Sequence, residues 1–264
     1  MTNFIQLVSS RRTWAWPYVL FMVLFVILPL VLVAVYAFTD IDGHFTLRNF
    51  AKFFTHSEAI STFLYSLMIA VFNTLICLLI GYPAAYIMAT ADFRTPKVMA
   101  MLFILPMWIN FLLRTVATVE LFNMFGLPLG EGALLFGLCY DYLPFMIYPI
   151  YNTLQKMDYS LVEAAQDLGA NRWKCFWKVI VPLSMPGVYS GIVMVFMPTV
   201  STFAIAELLT HNNIKLFGSL IQDYITTTDL LNYGAVLSLV LLLIIGVTSF
   251  FGDQDDDSQK GGMI

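Results

Sequence analysis

The chain has 264 residues, 59% of them apolar and only 11% charged, with a formal net charge of −4 and a mean hydropathy of +0.80. Soluble domains carry about a quarter of their residues as Asp, Glu, Lys and Arg, so this composition excludes an ordinary water-soluble fold and places the chain in a bilayer. Nothing in the charge balance suits it to nucleic acid.

Residues 1–16 form a polar lead carrying Arg11 and Arg12. Residues 17–38 are free of charge and long enough to cross a hydrocarbon core about 30 Å thick at ~1.5 Å per residue. The triplet Val35-Tyr36-Ala37 mimics a signal-peptidase site, but the apolar run before it exceeds an ordinary signal core, so an uncleaved first span is expected. A polar loop leads to a second uncharged run, 63–91, which has length to spare for tilting. The third expected span, 98–125, is broken by Pro106 and carries Arg114 and Glu120. The turn from Gly126 to Gly130 opens the fourth, 132–152, which contains Asp141, Pro144 and Pro149. A long polar-rich interval, 153–187, precedes the fifth span, 188–209, with Pro198 in its middle and Glu207 near its end. The sixth is 233–251, and the acidic tail after it is expected to lack structure. The expected architecture is all-α: one membrane domain of six helices over residues 1–264.

Lysine and arginine counts set the orientation. With the N-terminus inside, inner segments hold Arg11, Arg12, Arg94, Lys97, Lys156, Arg172, Lys174, Lys178 and Lys260, and outer loops only Arg48, Lys52 and Lys215. Nine against three puts both termini and the 153–187 interval in the cytoplasm. Cys77 and Cys139 fall in apolar runs and Cys175 in that interval, with no spacing that suggests a disulfide framework or a metal site. His44, His56 and His211 lie in polar connections without a second ligand at helical spacing, so no metal is expected.

The interval itself is dense in local signals. Ser160 with Glu163 three residues on reads as a capping box that starts a helix. Gly169 sits where a left-handed residue would end it. Asn171 is placed to cap a second short helix, which Pro182 and Pro186-Gly187 are expected to close. Glu163-Ala164-Ala165, three residues, Gly169, nine residues, then Val179-x-Val181-Pro182 resembles the EAA loop of ABC-importer permeases, EAA-x3-G-x9-I-x-L-P, departing from it only by valine at both aliphatic positions. The resemblance implies that Glu163, Ala164, Ala165, Asp167 and Gly169 belong to a coupling helix docked on a cytoplasmic ATPase. Two alanines let a helix face approach closely, and Gly169 permits the turn. The bland alternative is a solvated loop whose alanines only favour helix.

The likeness goes further. Pro106-Met107-Trp108 with Arg114, Tyr142-Leu143-Pro144-Phe145-Met146, Ala165-x-Asp167-Leu168-Gly169-Ala170, Pro182-Leu183-x-Met185-Pro186-Gly187 and Phe196-x-Pro198 are similar to the spermidine/putrescine branch, and the N-terminal lead to its B-type permease. The link from Arg114 to Pro144 is shorter than in that branch. The resemblance implies a transport subunit of a bacterial cytoplasmic membrane rather than an enzyme. Its implied partners are a dimeric ABC ATPase carrying the ATP and Mg, a second, related permease chain and an extracytoplasmic substrate-binding protein. No cofactor is expected on this chain itself.

Charged side chains inside a bilayer are costly and mark function by default. Asp141, Glu120 and Glu207 fall in the expected outer half with Trp108, Tyr140 and Tyr142. Carboxylates and aromatic faces suit a polyamine, whose ammonium groups and methylene chain need both. Each has an alternative: Glu120 and Glu207 in headgroup water, the aromatics as interface anchors, Arg114 as structural partner of one acid. Asp141 is the deepest acid and the leading path residue. Competing functions are a permease for ferric iron, an oxyanion or thiamine, an intramembrane enzyme, and a stand-alone channel or carrier.

Overall fold

The structure is a computed structural model that describes residues 11–90, 103, 105–226 and 230–260. Among these residues the regular structure is helical, apart from an isolated antiparallel bridge between Thr39 and Phe45. Helices α1 (Arg11–Met22) and α2 (Leu28–Ala37) are joined through a π turn, Val23–Ile27. Then come α3 (Arg48–Thr55), α4 (Ser57–Thr90), a 3-10 turn (Leu105–Trp108) and α5 (Phe111–Met124). They are followed by α6 (Glu131–Lys156), α7 (Ser160–Asp167), α8 (Arg172–Cys175), a second π turn (Phe176–Ile180) and α9 (Val181–Ser201). The chain closes with α10 (Ala204–Thr210), α11 (Phe217–Thr226) and α12 (Leu231–Lys260).

Five stretches are long and apolar enough to cross a membrane: Trp16–Ala37, Ser57–Thr90, Glu131–Lys156, Arg172–Ser201 and Leu231–Thr248. They correspond to the first, second, fourth, fifth and sixth expected spans. The third does not run as one helix. Its first residues, 98–102 and 104, lie outside the described ones, and a 3-10 turn at Pro106 is followed by a fresh start at Asn110. The Asn110 side chain accepts a hydrogen bond from the Leu112 amide at 2.8 Å, capping α5. The 14 residues of α5 extend only about 21 Å.

The fifth span differs too. Pro182 and Pro186 do not close a short helix; the chain stays helical from Arg172 to Ser201. The π turn accounts for this. The Val181 amide reaches the Phe176 carbonyl five residues back, and Pro182 enters in the first turn beyond it, where a missing N–H costs little. The same device precedes Pro29, with the Leu28 amide bonded to the Val23 carbonyl. The break instead falls at Thr202, ψ 145°, before α10. The tail expected to lack structure is also helical, since α12 continues through Lys260.

The chain divides into two compact units. In the first, residues 1–57 and 221–242, two buried or part-buried amides gather the end of α2: Asn49 Nδ2 donates to the Thr39 carbonyl at 2.9 Å, and Asn232 Nδ2 donates to the same carbonyl at 2.6 Å. Tyr233 packs edge-on against Tyr224, ring centroids 5.0 Å apart.

In the second unit, α4, α6 and α9 form the core. One buried cluster joins Cys77 and Ala85 of α4, Met146, Ile150 and Leu154 of α6, and Val188 and Val195 of α9. Another joins Ile69, Leu134 and Leu138 to Ile205 and Leu209 of α10. Lipid tails are as apolar as leucine, so such helices associate through close van der Waals packing and a few hydrogen bonds. Gly187 and Gly191, one turn apart on α9, provide the close approach: a Cβ at Gly187 would lie 2.8 Å from the Pro149 carbonyl oxygen, and one at Gly191 would lie 2.8 Å from Met146 Sδ. Asn73 Nδ2 donates to Thr199 Oγ1 at 3.0 Å, and the Tyr82 and Ser184 hydroxyls are 2.9 Å apart, so polar links tie α4 to α9 as well.

Candidate functional site

Two helix breaks in the second unit face one cavity of about 620 Å³. The junction before α5 contributes Met107, Trp108, Ile109, Asn110 and Phe111; the junction after α9 contributes Ser201, Thr202, Phe203 and Ala204. Tyr142 and Phe145 of α6 and Pro198 complete the wall with Arg114. Irregular backbone at membrane depth is tolerated where it lines a cavity, because its unpaired N–H and C=O groups need water or ligand. Broken helices are also where membrane transporters place their substrate sites. The wall is aromatic with hydroxyl and amide groups interspersed.

Arg114 is the one charged side chain on the described wall, and it is buried. Its Nε lies 3.2 Å from Asp141 Oδ1 on the facing helix, with the two side chains 6% and 1% exposed. Thr115 Oγ1 donates to Asp141 Oδ2 at 3.2 Å, and the guanidinium carbon sits 5.8 Å from the centre of the Tyr140 ring. Pairing makes two buried charges tolerable in low dielectric. Arg114 Nη1 is buried with no hydrogen-bond partner among the described residues, leaving a spare donor beside the pair.

The structure thus brings Trp108, Tyr142 and Arg114 onto one cavity wall, with Asp141 held off it. Asp141 belongs to the ion pair and is not among the lining residues. Glu120, further along α5, and Glu207, on α10, are exposed and away from the wall, and Tyr140 is half-exposed beneath the guanidinium. Reading the sequence missed Asn110, Phe111, Phe145, Ser201, Thr202 and Phe203. Asn110 carried a usable signal, a capping residue four positions after a proline, and Thr202 stands at the same spacing after Pro198.

The 153–187 interval is better ordered than a loop. Helix α7 ends in paired backbone bonds: the Ala170 amide donates to the Ala165 carbonyl at 3.0 Å and the Gly169 amide to the Gln166 carbonyl at 2.8 Å. This is the Schellman arrangement, with Gly169 at φ +82°. Asn171 Oδ1 accepts from the Lys174 amide at 2.8 Å and starts α8. The capping box at Ser160 does not form. Asp158 does the capping instead, its Oδ1 accepting from the Ser160 amide at 3.0 Å, and the Ser160 hydroxyl and amide hold that carboxyl below its usual range. Val162 is buried, while Glu163, Ala164 and Asp167 are exposed and Ala165 is half-buried. Leu161 and Leu168 also project outward, Leu168 with 90% of its surface free. A short helix rooted by one valine therefore presents an apolar and acidic face.

Residues 81–255 match the family of binding-protein-dependent transport system inner membrane components. The chain belongs to that family. It is a multi-pass membrane transport component and not an enzyme. Among its relatives, the spermidine/putrescine transport system permease protein PotB of Haemophilus influenzae is 30% identical over 95% of this chain and 93% of its own length. PotB of Escherichia coli is 31% identical over 86% of this chain and 90% of its own. The companion permease PotC of Shigella flexneri is 28% identical over 83% of each. Among solved structures, a bacterial ABC transporter involved in the import of the acidic polysaccharide alginate superposes with a TM-score of 0.74 at 13% identity, over 96% of this chain and 99% of the other. The MetNI methionine ABC transporter gives 0.61 at 17% identity, over 75% of this chain and 94% of the other. These two establish the permease fold.

Proposed function

We propose that this chain is one permease subunit of an ATP-driven importer of polyamines, spermidine or putrescine. The observation that carries the reading is likeness to PotB proteins along nearly the whole chain, from 86% to 95% of it. The cavity adds chemical support. Trp108, Phe111, Tyr142, Phe145 and Phe203 offer faces for a methylene chain, and Ser201, Thr202 and Asn110 offer hydrogen bonds. Arg114 would repel an ammonium group, and Asp141 cancels that charge. The exposed carboxylates Glu120 and Glu207 are candidates for receiving the ammonium groups.

In this reading the chain has six spans with both termini in the cytoplasm, and residues 153–187 form the coupling loop. An ATPase dimer seats α7 through Ala164, Ala165, Leu161 and Leu168, with Glu163 and Asp167 offered to basic or amide groups. A second permease, related to this one as PotC is to PotB, forms the other half of the pathway. An extracytoplasmic binding protein delivers substrate, as a periplasmic protein accompanies the alginate transporter.

Proteoliposomes holding the assembled complex test this. ATP-dependent uptake of labelled spermidine or putrescine is expected; uptake of thiamine, ferric iron or an oxyanion in their place would overturn the polyamine reading. Coupling is tested in the same system with Glu163→Lys and Gly169→Val. A valine at φ +82° is strained by about 1–2 kcal/mol and would re-aim α7. Both variants are expected to assemble yet lose most substrate-stimulated ATP hydrolysis and transport. Normal stimulation in both would remove α7 from the coupling role.

A further inference from the structure

Helix α8 and the π turn behind it carry a surface that the docking role given to α7 does not use. Cys175 and Ile180 are buried and Phe176 and Val179 are half-buried, so one face is spoken for by the core. The opposite face holds Trp173, Lys174, Trp177 and Lys178, all exposed, with exposed Arg172 at the helix start. Positions 173 and 177 form one row and 174 and 178 a second beside it, as neighbours four apart do on a helix. The two indoles are near-parallel, 7° between planes and 6.5 Å between centroids. Phe176 meets both edge-on, at 6.2 and 5.3 Å, and itself packs edge-on against Tyr86 of α4 at 5.3 Å. The aromatic ridge is therefore anchored to the core and keeps its shape while remaining exposed.

Three cations stand beside it. Among the described residues, Arg172, Lys174 and Lys178 form no ion pair with a carboxylate. The patch lies at the start of a 30-residue helix, about 45 Å long against a hydrocarbon core of about 30 Å, so its first turns fall outside that core. Arg172 to Ser201 is one membrane-crossing helix, and the patch occupies its first seven residues, within about 9 Å of its start. Such a position suits the headgroup layer, where indoles settle and where lysine and arginine meet lipid phosphates.

We propose that this face is a binding site for an anionic phospholipid. Lys174, Lys178 and Arg172 hold the phosphate, and the Trp173–Trp177 ridge packs along the glycerol and the first acyl carbons. A zwitterionic lipid has the same phosphate but brings a compensating ammonium toward three cations, so the site discriminates by net charge. The inference is independent of the transported solute.

The test uses the purified complex with phosphatidylglycerol and phosphatidylcholine, bound lipid being counted by native mass spectrometry. Wild type is expected to retain phosphatidylglycerol at least tenfold more tightly than phosphatidylcholine. The variant Arg172→Gln, Lys174→Gln, Lys178→Gln should lose that preference, and Trp173→Leu, Trp177→Leu should weaken retention of both lipids. All five positions are exposed, so size-exclusion elution of both variants should match wild type; misfolding is separated by a second arm on the unaltered protein. There, phosphatidylglycerol brominated in its acyl chains should quench indole fluorescence more than brominated phosphatidylcholine, and excess inorganic phosphate should not reverse it. Equal quenching by the two lipids would reduce the patch to a generic interface anchor and overturn the proposal, as would unchanged retention in the triple variant. Reversal by inorganic phosphate would overturn the lipid as ligand. Indoles open to acrylamide in the isolated permease but shielded by the ATPase, whatever the lipid, would make the face a protein interface instead.

Discussion

Asp141→Asn is expected to remove most of the folded protein from the membrane and not only to slow transport. The substitution leaves the Arg114 guanidinium buried at 6% exposure with no anion to meet it. Breaking a buried pair from one side costs about 3–5 kcal/mol, against total stabilities of about 5–15 kcal/mol. Replacing both partners by apolar groups of similar size is, in contrast, often neutral or stabilising. The double variant Arg114→Met, Asp141→Leu should therefore recover the yield and the thermal transition that Asp141→Asn loses. Fluorescence-detected size exclusion and thermal unfolding in detergent read both outcomes. A wild-type transition for Asp141→Asn combined with lost uptake would return Asp141 to the substrate path. A double variant that folds but does not transport would assign function to Arg114 on the cavity wall.

Gly187→Leu is the second large effect. The position faces α6 so closely that a single added carbon meets Thr153 Oγ1 at 2.6 Å and the Pro149 carbonyl oxygen at 2.8 Å. The threonine hydroxyl can turn away; the carbonyl is backbone and cannot. Overpacking of this kind costs about 1–3 kcal/mol, and leucine should reach the upper end because the whole α6–α9 contact must open. Gly187→Ala should fall between, and Gly132→Ala, where nothing lies within 4 Å, should leave the thermal transition unchanged. An unaltered transition for Gly187→Leu would mean that the two helices are held elsewhere.

Much of this was readable beforehand, for physical reasons. Uncharged apolar runs announce spans because lipid admits little else, and five of the six expected runs are long apolar helices. Gly169 and Asn171 were legible because a left-handed turn and a free helix N-terminus each admit few residue types. The prolines misled. Pro182 and Pro186 are strong stop signals in water, but a π turn and the surrounding helices absorb them here. The Arg114–Asp141 pair was hidden in plain sight: Arg114 lies twelve residues before Gly126 and Asp141 eleven after Gly130, so the turn between sets them at nearly equal depth. The sequence alone allowed Arg114 an acidic partner without saying which acid, and Asp141 stood as the leading path residue. Reading the hairpin would have joined them. Thr202, four residues after Pro198, offered the same handle as Asn110 after Pro106, and a largely apolar run continuing to Leu209 masked it.

The hairpin also bears on how the chain enters its membrane. The stretch Trp16–Ala37 has none of its most apolar part buried and can partition into lipid unaided, whereas half of the corresponding part of Glu131–Lys156 is buried against neighbours. An arginine or aspartate at the middle of a lone helix resists insertion by about 2.5–3.5 kcal/mol. Translation delivers Arg114 first, and a nascent chain stalled where Arg114 has left the ribosome and Asp141 has not holds that cation with no anion to meet it. Such a chain should stay accessible to water-borne thiol reagents at a cysteine placed near position 114, and lose that access once Asp141 has emerged. That result would mean that the first half of the hairpin waits at the translocon for the second and that the two cross into lipid as a neutral pair.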